Sequence, residues 1–270
     1  MSSNTAHARR PLRICLLLTA TALVLGGCAK DRAETTGSIS PRLATNQPIP
    51  DWRQRAEVYG EQYNRNPNDP NAAINYAQAL RANGQQAQAA AVLQQASIKH
   101  PKNLAVLGAY GRALADNGQY SQALDVLSRA HTPDRPDWRI LNAQGTVLDQ
   151  MGRHGEARRY YDTALKIVPN EPSILSNLGL SYALSKQLPQ AEKTLRTASQ
   201  QPNAEPKVRQ NLALVLGLEG KTAEAEKIAS SDLPPAEAEA NVARLRAMVA
   251  QQKQENTWQK LKAQKTASNG

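Results

Sequence analysis

Small and apolar residues return along this chain at a fixed interval of 34 positions, beginning near residue 70. One column is alanine throughout: Ala89, Ala123, Ala157, Ala191 and Ala225. A second column is alanine or glycine: Ala77, Gly111, Gly145, Gly179 and Ala213. A third holds a larger side chain: Leu80, Leu114, Leu148, Tyr182 and Leu216. Agreement of three columns predicts one structural unit repeated five times.

Glycines and prolines divide each unit into two helices. Turn glycines stand at Gly84, Gly118, Gly152 and Gly220, and Lys186 is the exception in that column. Pro67, Pro101 and Pro169 end successive units, while Pro136 and Pro202 are one residue out of step. Glycine suits a left-handed turn after the first helix, and a second helix cannot continue through proline. The small columns let the paired helices cross at the short end of the usual 8–10 Å range.

The composition agrees with an all-α fold, because alanine is abundant and phenylalanine is absent. The period and the helix–turn–helix unit resemble the tetratricopeptide repeat (TPR), which implies a right-handed solenoid of helix hairpins. The units are assigned to residues 70–103, 104–137, 138–171, 172–205 and 206–231, which together form a predicted array over 70–231. The last unit departs from the pattern, because Arg209 takes an apolar position and its second helix stops early.

Two helices are expected to cover the ends of the array. Residues 51–69 predict a capping helix before it, and residues 232–254 predict one after it, with Val242, Leu245 and Val249 on one face. A basic tail follows over 255–270. Its Trp258 and Leu261 could pack back on the solenoid or form a partner-docking helix, and both alternatives stay open.

Residues 1–27 have the three-part layout of a secretory signal peptide, with basic residues, a short apolar run and small residues. The run is too short to favour a membrane-spanning anchor. Leu25, Gly26, Gly27 and Cys28 resemble a bacterial lipobox, which implies lipidation of Cys28; the alternative is an ordinary signal peptide with a coincidental cysteine. Residues 28–50 are then a lipidated flexible linker. Ala29, where aspartate would imply retention at the inner membrane, favours the periplasmic face of the outer membrane of a Gram-negative host.

The formal charge is +10, and loss of Arg9, Arg10 and Arg13 with the signal peptide would leave 30 basic and 23 acidic residues, or +7. This balance favours contact with an anionic surface, which could be lipid, glycan or an acidic protein. Nucleic acid is not expected, because no basic run is interleaved with stacking aromatic residues. Removal of the signal peptide would leave Cys28 as the single cysteine. No cysteine and histidine spacing suggests zinc, and neither a metal nor a cofactor is expected.

No catalytic motif is found in the sequence, so an enzyme is not expected. His100, His131 and His154 lie at helix ends or turns, where histidines are usually solvated. Asp116 and Asp149 occupy nearby positions in adjacent units and could in principle act as acid and base. A solvated groove wall is the favoured interpretation of this pair.

The resemblance to TPR proteins implies a partner-binding groove lined by the first helix of each unit. The positions that map to it are Asn71, Gln78, Arg81, Arg112, Asp116, Arg139, Asn142, Thr146, Asp149, Gln150, Ser176, Leu180, Leu184, Lys207, Gln210 and Leu214. The part nearer the amino terminus is polar and charged. The part with Leu180, Leu184, Leu214 and Leu218 is apolar, so it could hold a peptide or the chain's own terminal helix, and the terminal helix is preferred.

The lipobox, the repeats and the terminal segment "DLPPAEAEANVARLRAMVAQ…NTWQKL" together resemble the TadD lipoproteins of the Flp, or tight adherence, pilus system. That resemblance implies a scaffold that helps the outer-membrane secretin, or its partners, to localise and assemble. Two alternatives stay open: a TPR lipoprotein that regulates or organises peptidoglycan synthases or hydrolases, and the helical adaptor of a glycan-handling system.

Overall fold

A computed structural model describes residues 51–268 of the 270-residue chain. The predicted signal peptide, the lipidation site at Cys28 and the predicted linker as far as residue 50 lie outside the described residues. Between 51 and 268 the chain forms helices and no strand; a single bridge joins Thr132 and Arg135 in one loop. The all-α prediction is confirmed.

Twelve helices make up the described part of the chain. They are α1 (Trp52–Arg65), α2 (Pro70–Ala82), α3 (Gln86–Lys99), α4 (Leu104–Asp116), α5 (Tyr120–Ser128), α6 (Trp138–Gln150), α7 (His154–Ile167), α8 (Pro172–Leu184), α9 (Leu188–Ser199), α10 (Pro206–Glu219), α11 (Thr222–Ser230) and α12 (Pro235–Ser268). Helices α2 to α11 form five hairpins, one inside each predicted repeat unit. Their even-numbered members are called first helices below, and their odd-numbered members are called second helices.

Polar caps set the start of four of the five first helices. The carboxylates of Asp69 and Asp137 accept hydrogen bonds from backbone N–H groups at the starts of α2 and α6. The amide oxygen of Asn103 does the same for α4, and Glu171 for α8. A side chain that accepts from the first turn satisfies donors that have no partner inside the helix. This column of capping residues repeats with the same 34-residue period as the small residues.

The turns between paired helices require a left-handed residue. The four turn glycines have φ between +74° and +87°, and Lys186 has φ of +62° at the equivalent place in the fourth unit. The lysine that breaks the glycine column in the sequence therefore adopts the conformation of the glycines. A left-handed conformation costs an L-residue with a Cβ roughly 1–2 kcal/mol.

The two columns of small residues lie where the two helices of each hairpin approach each other most closely. A Cβ at Gly145 would lie 2.5 Å from Cε1 of Tyr161, and one at Gly179 would lie 2.6 Å from Cγ of Leu195. Ala157 is completely buried in the same crossing as Gly145. These contacts explain why the columns carry no larger side chain, because the interior is packed too densely to admit one.

The backbones of successive first helices approach one another along the whole array, from α2 with α4 to α10 with α12, whereas the backbones of the second helices described here stay farther apart. Between α9 and α11 the contact is made by side chains, in the ion pair of Arg196 and Glu224. The stack of hairpins therefore bends toward the first helices. We call the surface on that side the concave face, lined by the column Gln78, Arg112, Thr146, Leu180 and Leu214.

Helix α12 takes the position of a sixth first helix. Leu245 is buried in a cluster with residues of α10 and α11, and Val242 and Val249 pack beside it. The terminal segment therefore covers the last hairpin, as the apolar face of the sequence indicates. The helix is longer than expected: it runs without a break past residue 254, where the basic tail was expected to begin.

Candidate functional site

The sixteen residues assigned to the groove differ in their exposure. Those that are exposed are Asn71, Gln78, Asp116, Arg139, Thr146, Gln150, Leu184 and Lys207. Those that are half-buried are Arg81, Arg112, Asn142, Leu180, Gln210 and Leu214. Asp149 and Ser176 are buried, with relative exposures of 9% and 5%. Fourteen of the sixteen side chains are thus at least partly open to solvent.

Asp149 does not line an open groove. Its carboxylate accepts hydrogen bonds from the hydroxyl groups of Ser181 at 2.8 Å and Tyr161 at 2.9 Å, and Nδ1 of His154 lies 2.8 Å away. These partners come from α7 and α8, so the carboxylate joins the third hairpin to the fourth. Burial and the adjacent carboxylate raise the pKa of Tyr161, which keeps its hydroxyl a donor. The acid–base pairing considered for Asp116 and Asp149 is therefore not supported by the geometry.

The histidines are also more constrained than the sequence suggests. His154 belongs to the Asp149 cluster, and Nε2 of His100 lies 2.8 Å from the backbone oxygen of Asn68. The buried Nδ1 of His131 has no hydrogen-bond partner among the described residues. The histidines therefore have three different environments, and the described part of the chain holds no group of three or more side chains able to bind a metal ion.

Ser176 is buried because it belongs to a set of hydrogen bonds that join successive first helices. The Nδ2 group of Asn211 donates to Oγ of Ser176 at 2.9 Å. The equivalent bond one unit earlier runs from Asn177 to Asn142 at 3.0 Å. At the end of the array Asn241, one helical turn before the position equivalent to Asn211, donates to Gln210 at 2.7 Å. We call these three bonds the polar ladder. The period of small residues gives no sign of this ladder, although Asn177 and Asn211 are one period apart.

Near the amino-terminal end of the concave face, an ion pair bridges two units. Nε of Arg81 on α2 lies 2.5 Å from Oδ2 of Asp116 on α4. The arginine side chain is 27% exposed and the aspartate 40%, so both remain within reach of solvent. A partly exposed ion pair contributes about 0–1 kcal/mol to the free energy of unfolding. The more important consequence here is that the carboxylate of Asp116 is already paired with Arg81.

Arg112 belongs to the column that lines the concave face, and it makes no hydrogen bond or ion pair with any residue whose side chain the structure describes. Burial is the first cause that lowers its pKa, and the charge of Arg81 is the second; Asp137 and Asp116 act in the opposite direction, and Arg139 adds to the lowering. Arg112 is thus a half-buried cation with two other cations close by.

Arg139 continues this basic area on α6. Its guanidinium carbon lies 4.3 Å from the ring centre of Trp138, a distance that allows a cation–π interaction. The carboxylate of Asp137 accepts from the backbone N–H of Arg139 at 2.7 Å and so caps the helix. Trp138 was not among the expected groove residues. It is the first residue of α6, and the period of small residues does not indicate which side chains at a helix start lie beside the groove.

The apolar part of the face is only partly covered by the chain's own terminal helix. Leu214 packs at the edge of the cluster that holds Leu245 of α12. Leu184, at the end of α8, stays 57% exposed. Helix α12 therefore packs at the last hairpin, and Leu184 remains exposed.

Comparison with known families gives two matches within the array. Residues 53–130 match the family described as "Anaphase-promoting complex, cyclosome, subunit 3", and residues 150–215 match the tetratricopeptide repeat. The hairpins have the architecture of tetratricopeptide repeats. TPR arrays are protein-interaction scaffolds, and this chain has that architecture. No curated protein sequence matches the chain.

Solved structures support the fold. The APC/C hetero-tetramer Cut9-Hcn1 superposes with a TM-score of 0.60 at 15% identity, covering 76% of this chain and 40% of that one. TTC0263, a thermophilic TPR protein of Thermus thermophilus, gives 0.55 at 20% identity, covering 61% and 90%. The human IFIT1 dimer with PPP-AAAA gives 0.56 at 16%, covering 67% and 45%. The chain thus spans less than half the length of two of these proteins, and the likeness concerns the fold.

The part of the chain that the structure describes includes no helix that combines the length and the apolar character needed to cross a bilayer. Trp258 and Leu261 lie on α12, of which only the backbone is described at those positions. Their docking role therefore stays a prediction.

Proposed function

We propose that this TPR array is a lipid-anchored, periplasmic scaffold that assists assembly of the Flp pilus, where it helps the outer-membrane secretin to localise or assemble. The scaffold part of the proposal is supported by a concave face whose side chains are mostly solvent-accessible and include the half-buried cation Arg112 and the exposed Leu184. A surface of this kind supports capture of a protein segment.

The pilus assignment is supported by the resemblance of the lipobox and the terminal segment to TadD lipoproteins. The anchor is supported by the order of residues that ends at Cys28. Several acyl chains on one cysteine would hold the protein stably, since each buried methylene contributes about 0.8 kcal/mol.

The test is affinity purification of the tagged chain from the envelope of a bacterium that expresses it. The expected result is co-purification of a secretin or of other pilus components, together with loss of secretin multimers from the outer membrane after deletion of the gene. Recovery of peptidoglycan synthases or hydrolases alone, with normal secretin multimers in the deletion strain, would contradict the pilus assignment.

The anchor is tested separately. Cys28→Ser should move the protein from the membrane fraction to the soluble fraction, and mass spectrometry of the wild-type mature chain should find acyl groups on its first residue. An unmodified Cys28 thiol in the mature wild-type chain would contradict lipidation and would leave the scaffold proposal intact.

A further inference from the structure

Polar contacts join neighbouring units at every described junction except one. The ion pair of Arg81 and Asp116 joins the first unit to the second. The polar ladder joins the third unit to the fourth, the fourth to the fifth and the fifth to α12, and the ion pair of Arg196 and Glu224 adds to it. We call the contact of α4 and α5 with α6 and α7 the middle junction. Among the side chains that the structure describes, no hydrogen bond or ion pair crosses it.

The packing at the middle junction is apolar and close. Ile140 and Val147 of α6 lie in one buried cluster with Leu127 of α5. Gly108 of α4 lies directly against Ile140, since a Cβ at Gly108 would stand 2.6 Å from Cδ1 of that side chain. Apolar contact is non-directional, so it holds the two surfaces together without fixing their relative rotation.

The polar ladder is interrupted at this junction because its two columns change residue type. The donor column that holds Asn177 and Asn211 has Ala143 in the third unit, and the acceptor column that holds Asn142 has Gly108 in the second. Neither alanine nor glycine has a side chain that forms a hydrogen bond. The directional contact that fixes the later junctions is therefore missing here.

Two arginines of like charge lie on opposite sides of the middle junction. Burial is the first cause that lowers the pKa of Arg112 on α4, and the charge of Arg139 on α6 lowers it further. Asp137 acts in the opposite direction, but its carboxylate accepts from the backbone N–H of Arg139 at the start of α6. The charges of the two arginines therefore repel each other across the junction.

Two buried polar atoms in this region have no hydrogen-bond partner among the described residues: Nδ1 of His131 and Oε1 of Gln144, whose side chain is 2% exposed. Gln144 belongs to the column of Tyr76, which stacks on Tyr63 of α1 with ring centres 5.8 Å apart. This column thus faces the preceding second helix, which for Gln144 is α5. A buried polar atom without a partner destabilises the closed junction, and opening it would let water reach the atom.

The chain that connects the two units is also suited to bending. Helix α5 has 9 residues, whereas α3 and α7 have 14. It ends at Ser128, and residues 129–137 follow without helix, with exposed prolines at Pro133 and Pro136. At the equivalent place after α7, residues 168–171 make the whole connection. A longer irregular connection can absorb the changes in backbone angles that rotation of two bodies requires.

We propose that the middle junction and residues 129–137 form a hinge, about which α1–α5 rotate as one body relative to α6–α11. Arg112 of the concave column lies before the hinge, and Thr146 lies after it. Rotation therefore changes the width of the concave face at this one place, while the units on either side keep their internal spacing. The inference concerns motion of the array, and it depends neither on the pilus assignment nor on the lipid anchor.

The test compares two distances between spin labels by pulsed electron paramagnetic resonance. The full chain carries Cys15→Ser and Cys28→Ser, and labels are attached at thiols introduced in one exposed column of the second helices. Ala91→Cys with Arg159→Cys, the hinge pair, spans the middle junction. Arg159→Cys with Lys227→Cys, the control pair, spans two junctions that carry the polar ladder. Both pairs are two periods apart, so a rigid array would give distributions of similar width.

We expect the distance distribution of the hinge pair to be at least about twofold broader than that of the control pair. Equal widths, or a broader distribution for the control pair, would overturn the hinge. Circular dichroism during thermal unfolding verifies that each labelled chain is folded.

Gln144→Leu should narrow the distribution of the hinge pair, because it removes the buried amide that favours opening. Leucine is also the residue of this column in the next two units, at Leu178 and Leu212. Gln190→Leu makes the same change at an exposed position of α9 and serves as the control, which should leave the width unchanged.

A second variant adds the missing polar contact. Ala115 and Gln150 lie one period after Arg81 and Asp116, so Ala115→Arg with Gln150→Asp repeats that ion pair across the middle junction. The double variant should narrow the distribution of the hinge pair more than either single substitution does. If the hinge pair kept its full width in both Gln144→Leu and the double variant, the lack of polar contacts would not be the cause of the motion, and the proposal would be wrong.

Discussion

Tyr161 fills the space that the missing side chain of Gly145 leaves at the crossing of α6 and α7. A Cβ at position 145 would lie 2.5 Å from one ring carbon of this tyrosine, which is itself 1% exposed. The ring also donates its hydroxyl proton to Asp149, so it has little freedom to move aside. This pair shows why the 34-residue period of small residues determines the spacing of the helices.

Gly145→Ala should therefore destabilise the array by about 1–3 kcal/mol, because overpacking shifts a constrained ring or the helix itself. Chemical denaturation measures the change. Gly155→Ala is the control, since a Cβ there would meet no heavy atom within 4 Å. If the two variants were equally stable, the close crossing would not be the reason for the glycine.

Lys186→Gly should raise the stability by up to about 1 kcal/mol. Lys186 has a left-handed φ of +62°, and glycine adopts that conformation without steric cost, although it also makes the unfolded chain more flexible. Gly152→Lys makes the opposite change at the equivalent turn and should lower the midpoint of thermal unfolding. A lower midpoint for Lys186→Gly would show that the lysine side chain stabilises its turn in some other way.

Asp149→Asn should cost about 2 kcal/mol or more. The amide keeps the size of the carboxylate but loses the charge, and it cannot accept from Tyr161, Ser181 and His154 on both sides as the carboxylate does. Urea denaturation compares it with Asp162→Asn, which removes an exposed charge on α7. An equal effect of the two substitutions would mean that the buried cluster contributes nothing beyond general electrostatics.

The ion pairs around Glu192 should make the free energy of unfolding depend on pH in the acidic range. The hydrogen bond from Lys221, at 2.6 Å, is the largest cause that lowers the pKa of Glu192 to about 2, and the bond from Arg196 adds to it. Since the folded pKa is below the unfolded one, the stabilisation is complete above about pH 5 and is lost as the pH falls toward about 2.

Unfolding measured between about pH 5 and about pH 3 should therefore show a smaller loss of stability in Glu192→Gln than in the wild-type chain. Glu239→Gln, at an exposed position on α12, serves as the control and should follow the wild type. Identical pH profiles for wild type and Glu192→Gln would contradict this role of the cluster.

The 34-residue period of the sequence predicts most of the fold. Helix pairing, the turn positions and the small crossings follow from side-chain size at fixed intervals, and even Lys186 behaves as its column requires. The length of α12 could not be predicted from the sequence, because its last turns lack the spacing of apolar residues that is typical of a packed helix. The period also could not show which groove positions stay open. Asp149 and Ser176 occupy the same kind of position as their exposed neighbours and are buried only because partners on adjacent helices, such as Tyr161 and Asn211, happen to reach them.

The central claim is that the concave face of this TPR array captures protein partners, and site-specific photo-cross-linking in living cells tests it most directly. A photoreactive residue in place of the exposed Thr146 lies on the concave face, and one in place of the exposed Thr163 lies on the second helix of the same unit. We expect cross-links to a partner protein from position 146 and few or none from position 163. Equal cross-linking from both positions, or cross-links from position 163 alone, would contradict the claim.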